Sequence, residues 1–235
     1  MTAALVRELV SILRRAAAVI RDVSAGPFAV EYKGPGDPVT PADRRANELI
    51  CEALARRFPG IPVVAEESAA ESFDGFREAP TVLFVDPLDG TREFVGRRHE
   101  FVTMIGLLDG ARAILGVVVD PTTDVAYWGG PSLGAARLDE NDGASPLRTS
   151  QTTCLAEAHV VASRQYPAGG TGDLARRFGV RSLATLGSAG MKGIAVASGA
   201  ADAYVAPRFG GKRWDACAID ALVTGAGGRF SDANG

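Results

Sequence analysis

The stretch Leu83-Phe84-Val85-Asp86-Pro87-Leu88-Asp89-Gly90-Thr91-Arg92-Glu93-Phe94-Val95-Gly96 decides how this chain is read. An apolar run, 81–85, is the pattern of a buried strand, and it ends on Asp86. A second acid follows three positions later, and Gly90-Thr91 opens a short helical pattern. Negative charge at the end of a buried strand is costly unless a cation neutralises it. Strand ends of α/β folds commonly hold ligands, and backbone N–H groups at a helix start suit an anion such as phosphate. Carboxylates beside a phosphate site call for a hard cation with oxygen ligands, of which Mg²⁺ is the expected one. An Asp turn in which Asp89 caps the following helix accounts for the same residues and stays open.

The flanking sequence alternates helices and strands. Leu5, Leu9, Ile12, Leu13, Ala16 and Ile20 recur at helical spacing, so 3–23 is expected to be an amphipathic helix. Residues 34–43 form a Pro/Gly-punctuated loop, and Asp43 opens a second helix. A short strand, 61–65, ends at Glu66-Glu67, and 100–129 holds two or three strands joined at Asp109-Gly110 and Asp120-Pro121. Further on, 155–163 holds a strand, 172–179 a short helix, and 190–207 a helix, turn and strand. Residues 214–228 form a last helix stopped by Gly227-Gly228, and 228–235 begin one more strand. The expected organisation is an α+β subdomain over 1–135 that carries most of the acids and an α/β subdomain over 136–235 that carries Asp215.

Composition narrows the function. The chain has 235 residues, 46% of them hydrophobic, enough for a substantial core. Its formal net charge is −3 and no Lys/Arg block occurs, which speaks against a nucleic-acid polymer as partner. Three scattered cysteines show neither metal spacing nor a secreted disulfide framework, so a reducing cytoplasm is expected. The charged N-terminal stretch lacks a signal-peptide core, and no apolar run is long enough to span a membrane. Two histidines, His99 and His159, speak against a His-rich zinc site.

Glu66, Asp86, Asp89, Asp43 and Asp215 all fall at expected element ends, and such ends can converge on one edge of a layered fold. Each has an ordinary structural explanation, an acidic turn for Glu66-Glu67 and helix-start capping for Asp43 and Asp215. Brought together, they would repel unless a metal binds among them. The Asp-x-x-Asp-Gly-Thr spacing differs from the Asp-x-Asp-Gly-Thr of haloacid-dehalogenase phosphatases and argues against a covalent aspartyl mechanism.

Four blocks, Asp37–Asp43 (DPVTPAD), Val63–Glu67 (VVAEE), Val85–Phe94 (VDPLDGTREF) and Trp214–Gly228 (WDACAIDALVTGAGG), together resemble the lithium-sensitive inositol monophosphatase superfamily across essentially the whole chain. Within it, PLDGTREF, GSAGMKG (187–193), ADAYVAPR (201–208) and KRWDACA (212–218) resemble the 3′(2′),5′-bisphosphate nucleotidase branch. The resemblance implies a layered αβαβα sandwich and Mg²⁺-dependent removal of the 3′-phosphate from adenosine 3′,5′-bisphosphate, with 3′-phosphoadenylyl sulfate as a further substrate. It implies that Glu66 and Asp86, with the Leu88 carbonyl, hold one Mg²⁺ and that Asp86, Asp89 and Asp215 hold a second. A third, weaker ion near Glu66 is often seen, and replacement of a weak Mg²⁺ by Li⁺ would explain inhibition. Asp43, Thr91 and Glu66 are the implied catalytic residues. The Gly90 and Thr91 amides are the implied phosphate contacts; Lys192, Ser188 and Asp215 are further candidate substrate contacts, and Arg208 and Arg213 are weaker ones. For Lys192 a solvent-facing helix-start lysine, and for Ser188 an ordinary turn, explain the sequence equally well. Dimers are common in the superfamily. Two departures stand out: SRQY (163–166) puts Tyr166 where relatives often carry a histidine, and relatives run a few dozen residues past SDANG (231–235), a difference that would leave a sheet edge exposed. Inositol monophosphatase or fructose-1,6-bisphosphatase activity, and a non-catalytic nucleotide or metal sensor, are the alternative readings.

Overall fold

The computed structural model describes residues 3–69, 75–164, 171–206, 211–232 and 234. Helix α1 (Ala3–Ser24) is followed by a small hairpin, β1 (Glu31–Gly34) and β2 (Asp37–Val39), then by α2 (Pro41–Arg57). Strands β3 (Val63–Ala65) and β4 (Thr81–Asp89) lead into the short α3 (Thr91–Val95). Strands β5 (Val102–Asp109), β6 (Arg112–Val119), β7 (Ala126–Gly130), β8 (Gly134–Leu138) and β9 (Ala144–Pro146) complete a seven-stranded sheet in simple order from β3 to β9. Only the β3–β4 pair is parallel. After it come β10 (His159–Ser163), α4 (Thr171–Phe178), β11 (Ser182–Leu186), α5 (Ala189–Ala197), β12 (Ala203–Tyr204) and α6 (Arg213–Gly225). The three strands form a second, parallel sheet in the order β11-β10-β12.

The unbroken apolar run of β4 follows from burial on both faces. Leu83 and Val85 join the core under α1 and α2, with Leu9, Leu13, Ile50 and Leu54. Val82 and Phe84 face the other side, where Cys217 and Ala221 of α6 lie. Helix α5 packs on α6 and on the second sheet, and α4 packs on β11. The layers are therefore α1/α2, sheet, α5/α6, sheet, α4, the expected αβαβα sandwich. The first sheet continues to Pro146, past residue 135 where the sequence suggested a boundary.

Two expectations from sequence are corrected. Part of the stretch read as a loop before Asp43 is the β1–β2 hairpin, because Gly34 and Gly36 permit a tight reversal within an otherwise extended segment. The strand expected to begin at 228 is not formed among the described residues there.

Helix α6 lies unusually close to the sheet. Gly106 of β5 pairs with Gly116 of β6, which pairs with Gly129 of β7, so three glycines form one row across the strands. A methyl group on Gly116 would lie 1.9 Å from the Ala218 carbonyl oxygen, and one on Gly106 would lie 2.7 Å from the Ala218 nitrogen. The row is a trough that seats the backbone of α6 and so sets the position of its N-terminus, where Asp215 stands. Gly116→Val is expected to cost about 1–3 kcal/mol through overpacking, read from urea unfolding. Gly26→Ala, where an added methyl meets nothing within 4 Å, should stay within about 0.5 kcal/mol of the parent. Equal effects of the two would contradict the trough.

Candidate active site

The buried strand β4 ends in two acids for a geometric reason. Asp86 is paired with Met104 and Asp89 with Val102, so three steps on β4 span two on β5. Residues 86 and 89 would point to opposite faces of a regular strand, since side chains alternate. The bulge at Pro87-Leu88 returns both to one face. That face looks toward α6, whose third residue is Asp215. Asp86, Asp89 and Asp215 each bring a carboxylate oxygen within 4.8 Å of the others.

Each acid is fixed through one of its oxygens. Asp86, 1% exposed, accepts from the Leu88 N–H at 3.1 Å through Oδ1. Asp89 Oδ2 accepts from the Ser188 hydroxyl at 2.5 Å and the Gly190 N–H at 2.6 Å. Asp215 Oδ2 accepts from the Lys212 N–H. Asp43 Oδ2 accepts from the Thr40 N–H at 2.8 Å and the Thr40 hydroxyl at 2.6 Å, a capping box that starts α2. Its other oxygen, Oδ1, accepts from Thr91 Oγ1 at 2.8 Å, and Thr91 Oγ1 also lies 3.1 Å from the Leu88 carbonyl. Gly90 links the acids to α3 at φ 100°, where a methyl group would lie 2.8 Å from the Glu100 carbonyl oxygen. Only glycine is unstrained there.

Burial raises the proton affinity of Asp86, Asp215, Glu66 and Asp43. It pushes Asp86 well above the ordinary carboxylate range, helped by repulsion from Glu66, Asp89 and Asp215. Asp215 rises to about 6, mainly through burial and then the Asp89 charge, against the opposing Lys212 N–H. Glu66 rises to about 7 through burial, although the Lys33 ammonium opposes the shift. Asp43 also rises, because it is buried. A set of hard oxygen donors, close together and short of positive charge, fits a divalent cation of the Mg²⁺ type. Asp86, Asp89 and Asp215 could share one, and Glu66 is near enough to feel the Asp215 charge and to raise Asp86.

Two expected substrate contacts are placed differently. The Lys192 ammonium, 1% exposed, donates to the carbonyls of Ser188 at 2.6 Å, Gly187 at 2.7 Å and, weakly, Leu186 at 3.4 Å. It is neither in solvent nor free for a phosphate, and burial lowers its pKa to about 8. It holds the 186–188 turn, and that turn carries Ser188, whose hydroxyl is spent on Asp89. Arg213 stands over the Phe76 ring at 5.9 Å. Arg208 and Tyr166 lie outside the described residues. Sequence reasoning missed Thr40, Lys33 and the pair formed by Arg164 and Glu100, which accepts from the Gly187 N–H at 2.8 Å and braces the same turn. Thr40 was legible as a capping-box partner three residues before Asp43; the others carried no local signal.

The sequence model described as the inositol monophosphatase family matches residues 3–235. The chain belongs to the inositol monophosphatase family. It is a phosphatase of that family, whose members are metal-dependent. It is 32% identical to the 3′(2′),5′-bisphosphate nucleotidase CysQ of Escherichia coli O157:H7, over 90% of this chain and 82% of the relative. Among solved structures, CysQ from Bacteroides thetaiotaomicron, a bacterial member of the inositol monophosphatase family, superposes with a TM-score of 0.76 at 28% identity, over 95% of this chain and 87% of that one. Mycobacterium tuberculosis SuhB gives a TM-score of 0.79 at 27% identity, over 99% and 88%. No helix among the described residues is long and apolar enough to cross a membrane.

The raised carboxylates set a pH signature for this family member. A carboxyl whose pKa rises on folding stabilises the fold below its unfolded value and loses that contribution as pH climbs through its folded value. For Glu66 the window runs from 4.5 to about 7, and for Asp215 from 3.8 to about 6. The urea midpoint of EDTA-treated protein should therefore fall between about pH 5 and pH 8, and added Mg²⁺ should reverse the fall. A metal-free midpoint that rises over this range would contradict the upward shifts that burial and repulsion impose.

Proposed function

We propose that this phosphatase removes the 3′-phosphate from adenosine 3′,5′-bisphosphate, and acts likewise on 3′-phosphoadenylyl sulfate. The observation that carries a hydrolytic reading is the contact between Thr91 Oγ1 and Asp43 Oδ1 at 2.8 Å, beside the carboxylate cluster. The nucleotide substrate is supported by relatives bearing the bisphosphate nucleotidase name at 31–33% identity and by the PLDGTREF form of the central block.

In this reading Glu66, Asp86, Asp89 and Asp215, with the Leu88 carbonyl, would hold two Mg²⁺ ions, with a third, weaker one near Glu66. Bound Mg²⁺ supplies charge neutralisation for the phosphoryl group and acidifies the attacking water. The residues themselves do the positioning. Thr91 donates its hydroxyl hydrogen bond to Asp43, which leaves an oxygen lone pair to accept from the water and aim it. As the water attacks, its proton passes to Thr91 Oγ1 while the Thr91 hydroxyl proton passes to Asp43, whose basicity burial has raised. Thr40 keeps Asp43 turned toward Thr91 from the opposite side. Gly90 and Thr91 amides take the phosphate oxygens, and Asp215 contacts the sugar side of the substrate. Phosphoryl transfer needs little beyond such positioning and charge neutralisation.

Initial rates with Mg²⁺ on adenosine 3′,5′-bisphosphate, inositol 1-phosphate and fructose 1,6-bisphosphate should rank the nucleotide first, and Li⁺ should inhibit. If the nucleotide is the poorest of the three, the branch assignment is wrong. Thr91→Ala should lower kcat by about 100-fold or more while leaving Mg²⁺ affinity nearly unchanged; unaltered kcat would remove Thr91 from the mechanism.

A further inference from the structure

The β1–β2 hairpin brings a cation to the edge of the acid cluster. Lys33 Nζ lies 2.9 Å from Glu66 Oε1 and 2.6 Å from Glu67 Oε1. Among the described residues, no other lysine or arginine forms an ion pair with Glu66, Asp86, Asp89 or Asp215. The ammonium therefore stands against a carboxylate that a divalent cation would also need, and the two compete for the same lone pairs.

The surroundings suit an exchange. Lys33 sits in a short hairpin whose first strand is mostly exposed, so its flexible stem can shift without disturbing the core. Glu67 is the more deeply set partner, its side chain 7% exposed against 25% for Glu66. It offers the ammonium a second acceptor when Glu66 is taken. A buried charge stripped of every partner would be costly, and Glu67 removes that cost on both sides.

We propose that Lys33 is an internal counter-ion that neutralises Glu66 until a divalent cation displaces it, with Glu67 retaining the ammonium afterwards. The inference rests on the reading of Glu66 as a metal ligand. It makes Lys33 a positioning residue that weakens and tunes metal uptake at Glu66, by competing for the same oxygen. Its sign is opposite to that of a residue that merely holds Glu66 in place.

The test is calorimetric titration of MgCl₂ into the EDTA-treated full chain, alongside melting curves. Lys33→Met and Lys33→Gln should each tighten Mg²⁺ binding by about fivefold, the size of a partly exposed ion pair. Both should melt lower than the parent without metal and show a larger rise in Tm when Mg²⁺ is added. Arg45→Gln removes an exposed charge two residues from Asp43 and should change affinity by less than about twofold, since exposed charges are screened. Unchanged or weaker Mg²⁺ binding in both Lys33 variants overturns the proposal, as does equal tightening in Arg45→Gln. A parent chain that takes up no Mg²⁺ is a different result, and it overturns the metal-centre reading together with this inference.

Discussion

Carboxylates set within 4.8 Å of one another repel, and this protein is built around holding them there. Burial removes the water that would screen the repulsion. The restraint is supplied locally and on every side. A bulge turns Asp86 and Asp89 onto one face, the start of α6 presents Asp215, and the start of α2 presents Asp43. The glycine row beneath α6 then fixes how far Asp215 stands from the strand. A larger side chain anywhere in that row would move the helix and with it the geometry of the whole cluster.

The acids share a division of labour between their two oxygens. One oxygen of each is engaged by nearby backbone or hydroxyl donors: Leu88 N–H for Asp86, Ser188 and Gly190 for Asp89, Lys212 N–H for Asp215, Thr40 for Asp43. The second oxygen is left to a neighbour or a ligand, as Asp43 Oδ1 is to Thr91. Capping and chemistry are thus compatible uses of one side chain. The ordinary structural explanation of Asp43 and Asp215 as helix-start residues is correct, and it is what makes a functional role geometrically possible.

The later part of the chain supports the site at a distance. Lys192 donates to three consecutive carbonyls of the turn that carries Ser188, and Glu100, itself paired with Arg164, accepts from Gly187 in the same turn. Gly187 and Gly190 have no room for a side chain, because one would strike Glu93 and the other Val102. These contacts hold the turn whose Ser188 hydroxyl and the following Gly190 N–H engage Asp89. A buried lysine that looks from sequence like a phosphate ligand is here a brace for a carboxylate.

The sequence by itself determined the element types around the site and the identity of the acids. The apolar run before Asp86, the periodicity of α1 and α6, and the Asp-Pro-Leu-Asp-Gly-Thr block are local patterns, and local patterns are what a sequence displays directly. It also carried the family, since four separated blocks occur in order. Tertiary structure alone decided which side chains meet. The row of Gly106, Gly116 and Gly129 exists only once three strands are in register, and no one of these glycines taken singly signals it. The Lys33–Glu66 contact joins residues 33 positions apart through a hairpin read as a loop. Lys192 changed from a candidate ligand to an internal brace because burial, a property of the assembled layers, aimed its ammonium at carbonyls. Long-range register and burial are collective quantities, and no spacing within one segment encodes them.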